Sequence, residues 1–283
     1  MDGRVDEPGG HRRPQFSRRA PGTNAGGRGA QHGLQRENPL RLNPDVVLLR
    51  HVHISARLEA DTWRGILPLL SADERGRLHR LRFARDQWSY LAAHALVRTT
   101  LSAAYDIHPT SWVFRRGRHS RPEIVGHGNL PLLGFSLSHT DGLAVCAVSR
   151  HRDIGVDAEA VDHLVTGDQL DRYFSPDEAR DLEGRRGKDW RERFFRYWTL
   201  KEAYVKARGV GLSLPLDRFS FELHGDDVAI IFAARADDKP LWWQFHLSSP
   251  TARHVVALAM RRPPNRVVRI ESRAVGLEEL SAP

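Results

Sequence analysis

The sequence is poor in cysteine, in lysine and in long apolar runs, and the first and last of these shortages exclude whole classes of protein. Its 283 residues contain one cysteine, so neither a framework of internal disulfides nor a multi-cysteine zinc or iron–sulfur site can form. No apolar run approaches the roughly 20 residues of a membrane-spanning helix. The N-terminus lacks the apolar stretch of a secretory signal. We therefore expect a soluble cytoplasmic protein that does not bind a membrane.

Lysine is the remaining shortage. The chain has 43 basic residues, of which only four are lysines: Lys188, Lys201, Lys206 and Lys239. The arginine bias by itself says little about function. In a chain that nearly always uses arginine, however, two lysines five residues apart indicate a specific role for Lys201 and Lys206.

The basic excess is concentrated at the N-terminus. Residues 1–44 hold eight Gly, five Pro and eight Arg against four acidic residues, so this segment carries +4 of the net charge of +8. It has too few large apolar residues to offset its ordering entropy, and we predict a disordered tail. The rest of the chain is only mildly basic, which argues against a fold dedicated to nucleic-acid binding.

The remaining chain predicts two α+β halves with the same order of elements. Each half opens with an S-x-x-E capping box, at Ser71 and at Ser175, and continues into a long amphipathic helix, from about Arg85 and from about Trp190 to Arg208. Antiparallel strands follow in both halves. We place the halves at residues 45–153 and 154–262, with a C-terminal extension at 263–283. The duplicated order predicts two similar halves, each a long helix packed on a small antiparallel sheet, with a cleft between them in a monomer.

An acidic pattern alternates strictly over residues 153–159. As a strand, this segment puts Ile154 and Val156 on one face, and Asp157 and Glu159 on the other. Two neighbouring carboxylates repel unless a cation or an arginine lies between them, and oxygen ligands favour Mg²⁺ beside phosphate oxygens. The alternative is a polar strand face paired with surface arginines, and the spacing alone does not decide between the two.

A second motif lies on the long helix of the second half. Glu202 and Lys206 are four residues apart and share a helix face, which is the arrangement of an ordinary ion pair worth only ~0.3–0.5 kcal/mol. The flanking aromatic residues Phe194, Tyr197 and Trp198 make the helix largely apolar. A Glu–Lys pair there would be partly buried, which favours a functional role.

A third motif precedes the apolar run 143–149. Ser136 and Ser138 share a strand face, with His139 at its end and Asp141-Gly142 as turn residues. A Ser–His–Asp hydrolase with Ser136 as nucleophile would need the G-x-S-x-G motif, and the sequence lacks it because residue 138 is Ser instead of Gly. A simple turn and a phosphate-binding edge both remain open. The sequence contains no P-loop, dinucleotide-binding or H-E-x-x-H motif, so those nucleotide-binding and zinc-protease classes lose support.

Together and in this order, the three segments resemble the 4′-phosphopantetheinyl transferase superfamily, of the longer Sfp-like type. The resemblance rests on residues 135–139, 155–159 and 198–206 and covers roughly residues 65–260. Either G-[IV]-D-x-E or W-x-x-K-E-x-x-x-K alone would be weak, but the pair at this separation is specific. The resemblance implies two pseudo-symmetric halves that bind coenzyme A in the cleft between them. It also implies transfer of the phosphopantetheine arm to a serine of an apo carrier protein.

The resemblance implies a role for each motif residue. The Mg²⁺ ligands would be Asp157, Glu159 and Glu202. The residues in contact with coenzyme A would be Arg77, Arg121, Ser136, Ser138, His139, Lys201 and Lys206. His139, Lys206 and Glu202 would act in catalysis, with Glu202 a metal ligand first and also the best candidate to accept the serine proton. The sequence departs from the family pattern in three places: Ser-Arg121-Pro replaces Gly-Lys-Pro, Glu74 stands where some relatives have a basic residue, and Ala158 replaces a bulkier aliphatic residue between Asp157 and Glu159.

Two other classes remain open. One is an Mg²⁺-dependent phosphohydrolase that uses the same carboxylates, and the other is a nucleic-acid-binding protein that acts through the Arg-rich tail. The resemblance ranks both below the transferase. It favours acyl, peptidyl or aryl carrier proteins as partners, without nucleic acid, and the Sfp-like length favours polyketide and nonribosomal peptide biosynthesis.

Overall fold

The computed structural model describes residues 42–54, 59–117, 121–126, 133–165, 173–211, 214–225, 227–233 and 237–281. All of them fall within one compact unit, residues 38–283. Nearly all of the tail at 1–44 lies outside the described residues, so its disorder stays a prediction.

The first half follows the predicted order, with short additions. Its elements are β1 (Val46–His53), α1 (Ala60–Ile66), α2 (Ala72–Leu78), α3 (Ala84–Tyr105), β2 (Val113–Arg116), β3 (Pro122–Val125), β4 (Gly134–Thr140) and β5 (Leu143–Ser149). The capping box that opens α2 is confirmed, since Ser71 accepts from the Glu74 backbone N–H and Glu74 accepts from that of Ser71. The helix α3 packs on β5 and β4. The short α1 and β3 were not predicted.

The second half repeats the plan. Its elements are β6 (Ile154–Ala160), α4 (Pro176–Glu183), α5 (Gly187–Arg208), β7 (Phe219–His224), β8 (Asp227–Phe232), β9 (Trp243–Thr251) and β10 (His254–Arg261). The second capping box is also confirmed, between Ser175 and Glu178 at the start of α4. α5 packs on β6 and β10 and ends at Gly209, whose φ of 63° lies in the left-handed region that favours glycine. The prediction of two similar α+β halves is confirmed.

The C-terminal extension returns to the first half. Its strand β11 (Arg269–Ala274) pairs parallel to β1, so the sheet of the first half has the order β11-β1-β5-β4 and the larger sheet of the second half the order β6-β10-β9. The pairs β2-β3 and β7-β8 form separate two-stranded sheets. An apolar layer joins the two sheets, and Ile154 and Val156 lie in it, on the face that the alternation predicted. None of the helices in the described part of the chain has the length and apolar character needed to cross a membrane.

A buried ion pair ties α2 to α3 in the first half. The Arg98 guanidinium lies 2.7 Å from Oε2 of Glu74. It also donates to the backbone carbonyls of Pro109, at 3.0 Å, and Trp112, at 2.7 Å. One arginine therefore holds together the capped helix, the long helix and the segment that leads into β2.

The second half contains the equivalent pair, and it overturns one expectation. Lys201 occupies the same position in α5 as Arg98 in α3, and its ammonium lies 2.8 Å from Oε2 of Glu178. It donates to the carbonyls of Leu216, at 2.7 Å, and Phe219, at 2.8 Å. The side chain is 0% exposed. The expected contact of Lys201 with coenzyme A is therefore wrong for this structure: all three of its donors are engaged inside the second half.

Candidate active site

A cavity of about 870 Å³ opens between the two halves. Five of the residues singled out from the sequence line it: Arg77, Arg121, Ser136, Glu202 and Lys206. The first three belong to the first half and the last two to α5. The structure thus brings residues from both halves to one cleft, as the duplicated plan predicted.

Gly155 sets the distance between β6 and α5. A Cβ at this position would lie 2.1 Å from the carbonyl oxygen of Ala203 and 2.4 Å from the backbone nitrogen of Ala207, which are distances that no real Cβ adopts. Only glycine lets the strand approach the helix backbone this closely. Two residues further along β6, Asp157 consequently meets the face of α5 that carries Lys206.

Asp157 is held by one of its two carboxylate oxygens. Its Oδ1 accepts a hydrogen bond from Nζ of Lys206 at 2.6 Å and one from Oγ of Ser138 at 2.9 Å. The residue is 4% exposed, and its Oδ2 is buried without a hydrogen-bond partner. A buried carboxylate oxygen without a donor is costly, and its presence indicates a site for a ligand.

Two further carboxylates stand close enough to feel the charge of Asp157. Burial, followed by the charge of Asp157, raises the pKa of Glu159 to about 7. Burial and the charges of Asp157 and Glu159 raise the pKa of Glu202 to about 7, against the lowering effect of Lys206. Because the charge of Asp157 disfavours ionisation of both glutamates, a cation placed among the three carboxylates would be stabilising.

The side chain of Glu159 is oriented by its neighbours. Its Oε1 accepts a hydrogen bond from the indole N–H of Trp198 at 3.1 Å, and its Oε2 lies 3.4 Å from Nδ1 of His163. The ring of Tyr173 packs edge-on against Trp198 at 5.1 Å. From the sequence, Trp198 was expected only as an apolar residue flanking Glu202, and nothing in the sequence indicated the hydrogen bond from its indole N–H to Glu159.

These residues fit one divalent cation that completes its coordination with oxygens from elsewhere. The unpartnered Oδ2 of Asp157 and the raised pKa values of Glu159 and Glu202 are what a hard cation would satisfy. In the described residues, no group of three His, Cys, Asp or Glu side chains is gathered tightly enough to hold a metal ion alone. The donor set therefore suits an ion that arrives with phosphate or water oxygens.

The third motif lies where β4 meets β6. Ser136 accepts a hydrogen bond from the backbone N–H of Val156 at 3.0 Å, and Ser138 is bonded to Asp157 and Lys206. Both serines are buried, whereas His139 is exposed. Partial withdrawal from water, followed by the charges of His94 and Lys206, lowers the pKa of His139. Its imidazole therefore favours the neutral form, and it is not among the residues that line the cavity.

Arg121 joins the two halves as well as lining the cavity. Its guanidinium donates to the carbonyl oxygens of Ala207 and Ile154 in the second half, and to that of Arg152 at the end of the first half. Burial lowers its pKa. Several of its N–H groups thus donate to the protein backbone, so Arg121 has fewer donors for a ligand than a guanidinium without protein partners would have.

Glu74 departs from the family pattern, but its charge is compensated. Its carboxylate binds Arg98 and lies 3.0 Å from Nδ1 of His94, whose ring packs 4.0 Å from that of Tyr90. Burial opposes ionisation of Glu74, but the bonds from His94, Ser71 and Arg98 outweigh it and lower its pKa to about 2. His94 and Tyr90 also line the cavity. Neither residue was predicted from the sequence as part of the site, although their spacing of four residues on α3 places them on one helix face.

Known proteins resemble the chain along both halves. Residues 58–151 match the N-terminal family model of 4′-phosphopantetheinyl transferases, and residues 153–259 match the model of the 4′-phosphopantetheinyl transferase superfamily. A 4′-phosphopantetheinyl transferase of Bacillus subtilis is 33% identical over 175 residues, which are 62% of this chain and 76% of the relative. A phosphopantetheinyl transferase of Thraustochytrium is 30% identical over 223 residues, 74% of each chain.

Among solved structures, the holo-[acyl-carrier-protein] synthase of Thermotoga maritima matches with a TM-score of 0.32 and 23% identity. The match covers 38% of this chain and 62% of that protein.

Proposed function

The chain belongs to the 4′-phosphopantetheinyl transferase superfamily, and we propose that it moves the phosphopantetheine arm of coenzyme A onto a serine of an apo carrier protein. The observation that carries the proposal is the buried Asp157, whose Oδ2 has no partner and whose Oδ1 binds Lys206, a residue that lines the cleft together with Glu202. A phosphoryl-transfer enzyme needs such a combination of cation-binding oxygens and a fixed positive charge.

The proposed reaction exchanges one phosphorus–oxygen bond for another. The serine oxygen of the carrier attacks the β-phosphorus of coenzyme A, the bond from that phosphorus to the bridging oxygen breaks, and 3′,5′-ADP leaves. Lys206, one-third exposed beside Asp157, would stabilise the charge on the pyrophosphate, with His139 as a further hydrogen-bonding group. Arg77 and Arg121 line the first-half wall and would bind the anionic nucleotide.

The metal ion that we propose is Mg²⁺, held by Asp157, Glu159 and Glu202. When bound, it would neutralise charge on the pyrophosphate. We assign Glu202 first as a ligand. With a pKa of about 7, it is also the best-placed carboxylate to accept the serine proton near neutral pH.

The partners that we propose are acyl, peptidyl or aryl carrier proteins, with polyketide and nonribosomal peptide synthesis as the favoured context. We further propose a cytoplasmic monomer that does not bind nucleic acid or a membrane. The similarity to transferases along both halves supports the choice of carrier proteins as partners. Neither the phosphohydrolase nor the nucleic-acid-binding alternative finds support in the comparisons.

The test is incubation of the full chain with coenzyme A, Mg²⁺ and a panel of apo carrier proteins, followed by intact mass measurement. We expect each true substrate to gain the mass of one phosphopantetheine arm, with one equivalent of 3′,5′-ADP released. A carrier whose acceptor serine is replaced by alanine is the matched control and should gain nothing. Release of the arm into water without any carrier would favour the phosphohydrolase.

A further inference from the structure

Ser138 is bonded to two charged groups of the protein. Its Oγ lies 2.9 Å from Oδ1 of Asp157 and 3.0 Å from Nζ of Lys206, and these two atoms are themselves 2.6 Å apart. The hydroxyl therefore donates its single hydrogen to the carboxylate and accepts one from the ammonium. Ser138 is also 7% exposed, which leaves little of its surface for a ligand.

This arrangement makes the two oxygens of Asp157 unequal. The carboxylate of an aspartate rotates in a broad, two-fold manner about its last torsion, so its oxygens interchange unless one of them is held. Ser138 and Lys206 both hold Oδ1, and Oδ2 is left buried without a donor. Lys206 alone is a weak guide, because its ammonium sits on a long, flexible stem. The short hydroxyl of Ser138 fixes which oxygen is presented.

The contact also spans the two halves. Ser138 lies on β4 and Asp157 on β6, and two residues earlier Ser136 accepts from the backbone N–H of Val156. Both serines thus face β6, as the two-residue period of a strand requires. Only Ser138 touches a carboxylate, so Ser136 supplies a matched comparison: its loss removes a bond between the halves without freeing Asp157.

We propose that Ser138 is a positioning residue for Asp157, which it orients toward a divalent cation. This inference rests on the proposed function, because Asp157 is the cation ligand there. Hydrogen-bond partners of metal ligands typically change metal affinity 10- to 100-fold when they are removed.

The test measures Mn²⁺ binding to the full chain without coenzyme A, from the electron paramagnetic resonance signal of the free ion. We expect Ser138→Ala to weaken Mn²⁺ binding at least about tenfold, and Ser136→Ala to leave it within twofold. Ser138→Thr retains the hydroxyl and should restore binding.

Unchanged Mn²⁺ affinity in a folded Ser138→Ala protein would overturn the inference. If Ser138→Ala does not fold, Ser138→Cys, with a weak donor of similar size, replaces it, and the same weakening is expected. Failure of the proposed metal site looks different: wild type and Asp157→Asn would then bind Mn²⁺ equally poorly, whatever residue 138 is.

Discussion

Replacing Glu202 by glutamine should stabilise the metal-free protein although it damages the proposed active site. Glutamine has nearly the same shape as glutamate and cannot ionise. The folded wild type must hold the Glu202 carboxylate, with its pKa raised to about 7, against burial and the charges of Asp157 and Glu159. Removing that charge removes the repulsion without leaving a hole.

The magnitude follows from linkage. Below pH ~4.5 the carboxyl is protonated in both folded and unfolded chains, and the substitution has no electrostatic effect. Between pH ~4.5 and 7 the folded state keeps a proton that the unfolded state has lost, so the wild type loses stability as the pH rises. Above pH 7 the loss of unfolding free energy caused by ionised Glu202 is constant. At ~1.4 kcal/mol per pH unit of pKa shift it is at most about 3 kcal/mol, and coupling among the carboxylates places it at about 1–3 kcal/mol.

The assay is thermal unfolding in EDTA at pH 5.5 and pH 8.0. At ~2–4 °C per kcal/mol for a protein of this size, Glu202→Gln should melt roughly 2–12 °C above the wild type at pH 8.0 and much closer to it at pH 5.5. Glu192→Gln, at an exposed position on the same helix, is the control, and its Tm should equal that of the wild type at both pH values. Added Mg²⁺ should raise the Tm of the wild type more than that of Glu202→Gln.

The reasoning would be refuted if Glu202→Gln melted at or below the wild type at pH 8.0. A gain that did not grow with pH would refute it equally, because a packing effect of glutamine does not depend on ionisation of residue 202.

Four other outcomes are expected. Gly155→Ala should lower the Tm by several degrees and reduce transfer at least tenfold, because its Cβ would collide with the α5 backbone. Circular dichroism melts measure the Tm and initial rates measure the transfer. Near-wild-type values would mean that β6 need not approach α5 so closely. Asp157→Ala and Glu202→Ala should each abolish most transfer, and the double variant should be little worse than either, because the two residues act as one unit. Titration of the transfer rate against Mg²⁺ or Mn²⁺ should show partial recovery at excess metal. Wild-type rates in both single variants would mean that neither residue belongs to the active site. Lys201→Ala should cost about 3–5 kcal/mol in urea unfolding because it leaves Glu178 buried and unpaired; a raised KM for coenzyme A with unchanged stability would restore a ligand role. Deletion of residues 1–40 should change neither the Tm nor the transfer rate, and a large loss of either would show that the segment packs on the fold.

Local chemistry predicted much of the fold. The capping boxes at Ser71 and Ser175 and the alternation along β6 depend on neighbours within a few residues, and all three are confirmed. The strand β11 could not be predicted in the same way. It is polar and largely exposed, and its only strand partner in the described residues, β1, lies more than two hundred residues earlier in the chain.

The misassignment of Lys201 has a physical reason that the sequence did contain. Successive helix residues point about 100° apart, so Lys201 and Glu202 cannot both face the cleft. Glu202 and Lys206 share a face, which leaves Lys201 to the interior of the second half. What the sequence did not contain is the partner: Glu178 belongs to another helix, and only tertiary packing brings it to 2.8 Å from the ammonium.

The parallel pairing of β1 with β11 has a consequence for how the chain acquires its structure during synthesis. Val46 pairs with Arg269 and His51 with Ala274, and the buried Leu280 packs into the core of the first half. The first half therefore leaves the ribosome early but cannot complete its sheet until residues 269–274 have emerged. Until then one edge of β1 is an unpaired template for other strands. Folding of the whole body thus depends on a late, long-range closure, and chains stopped before residue 269 should aggregate instead of accumulating as a stable first half.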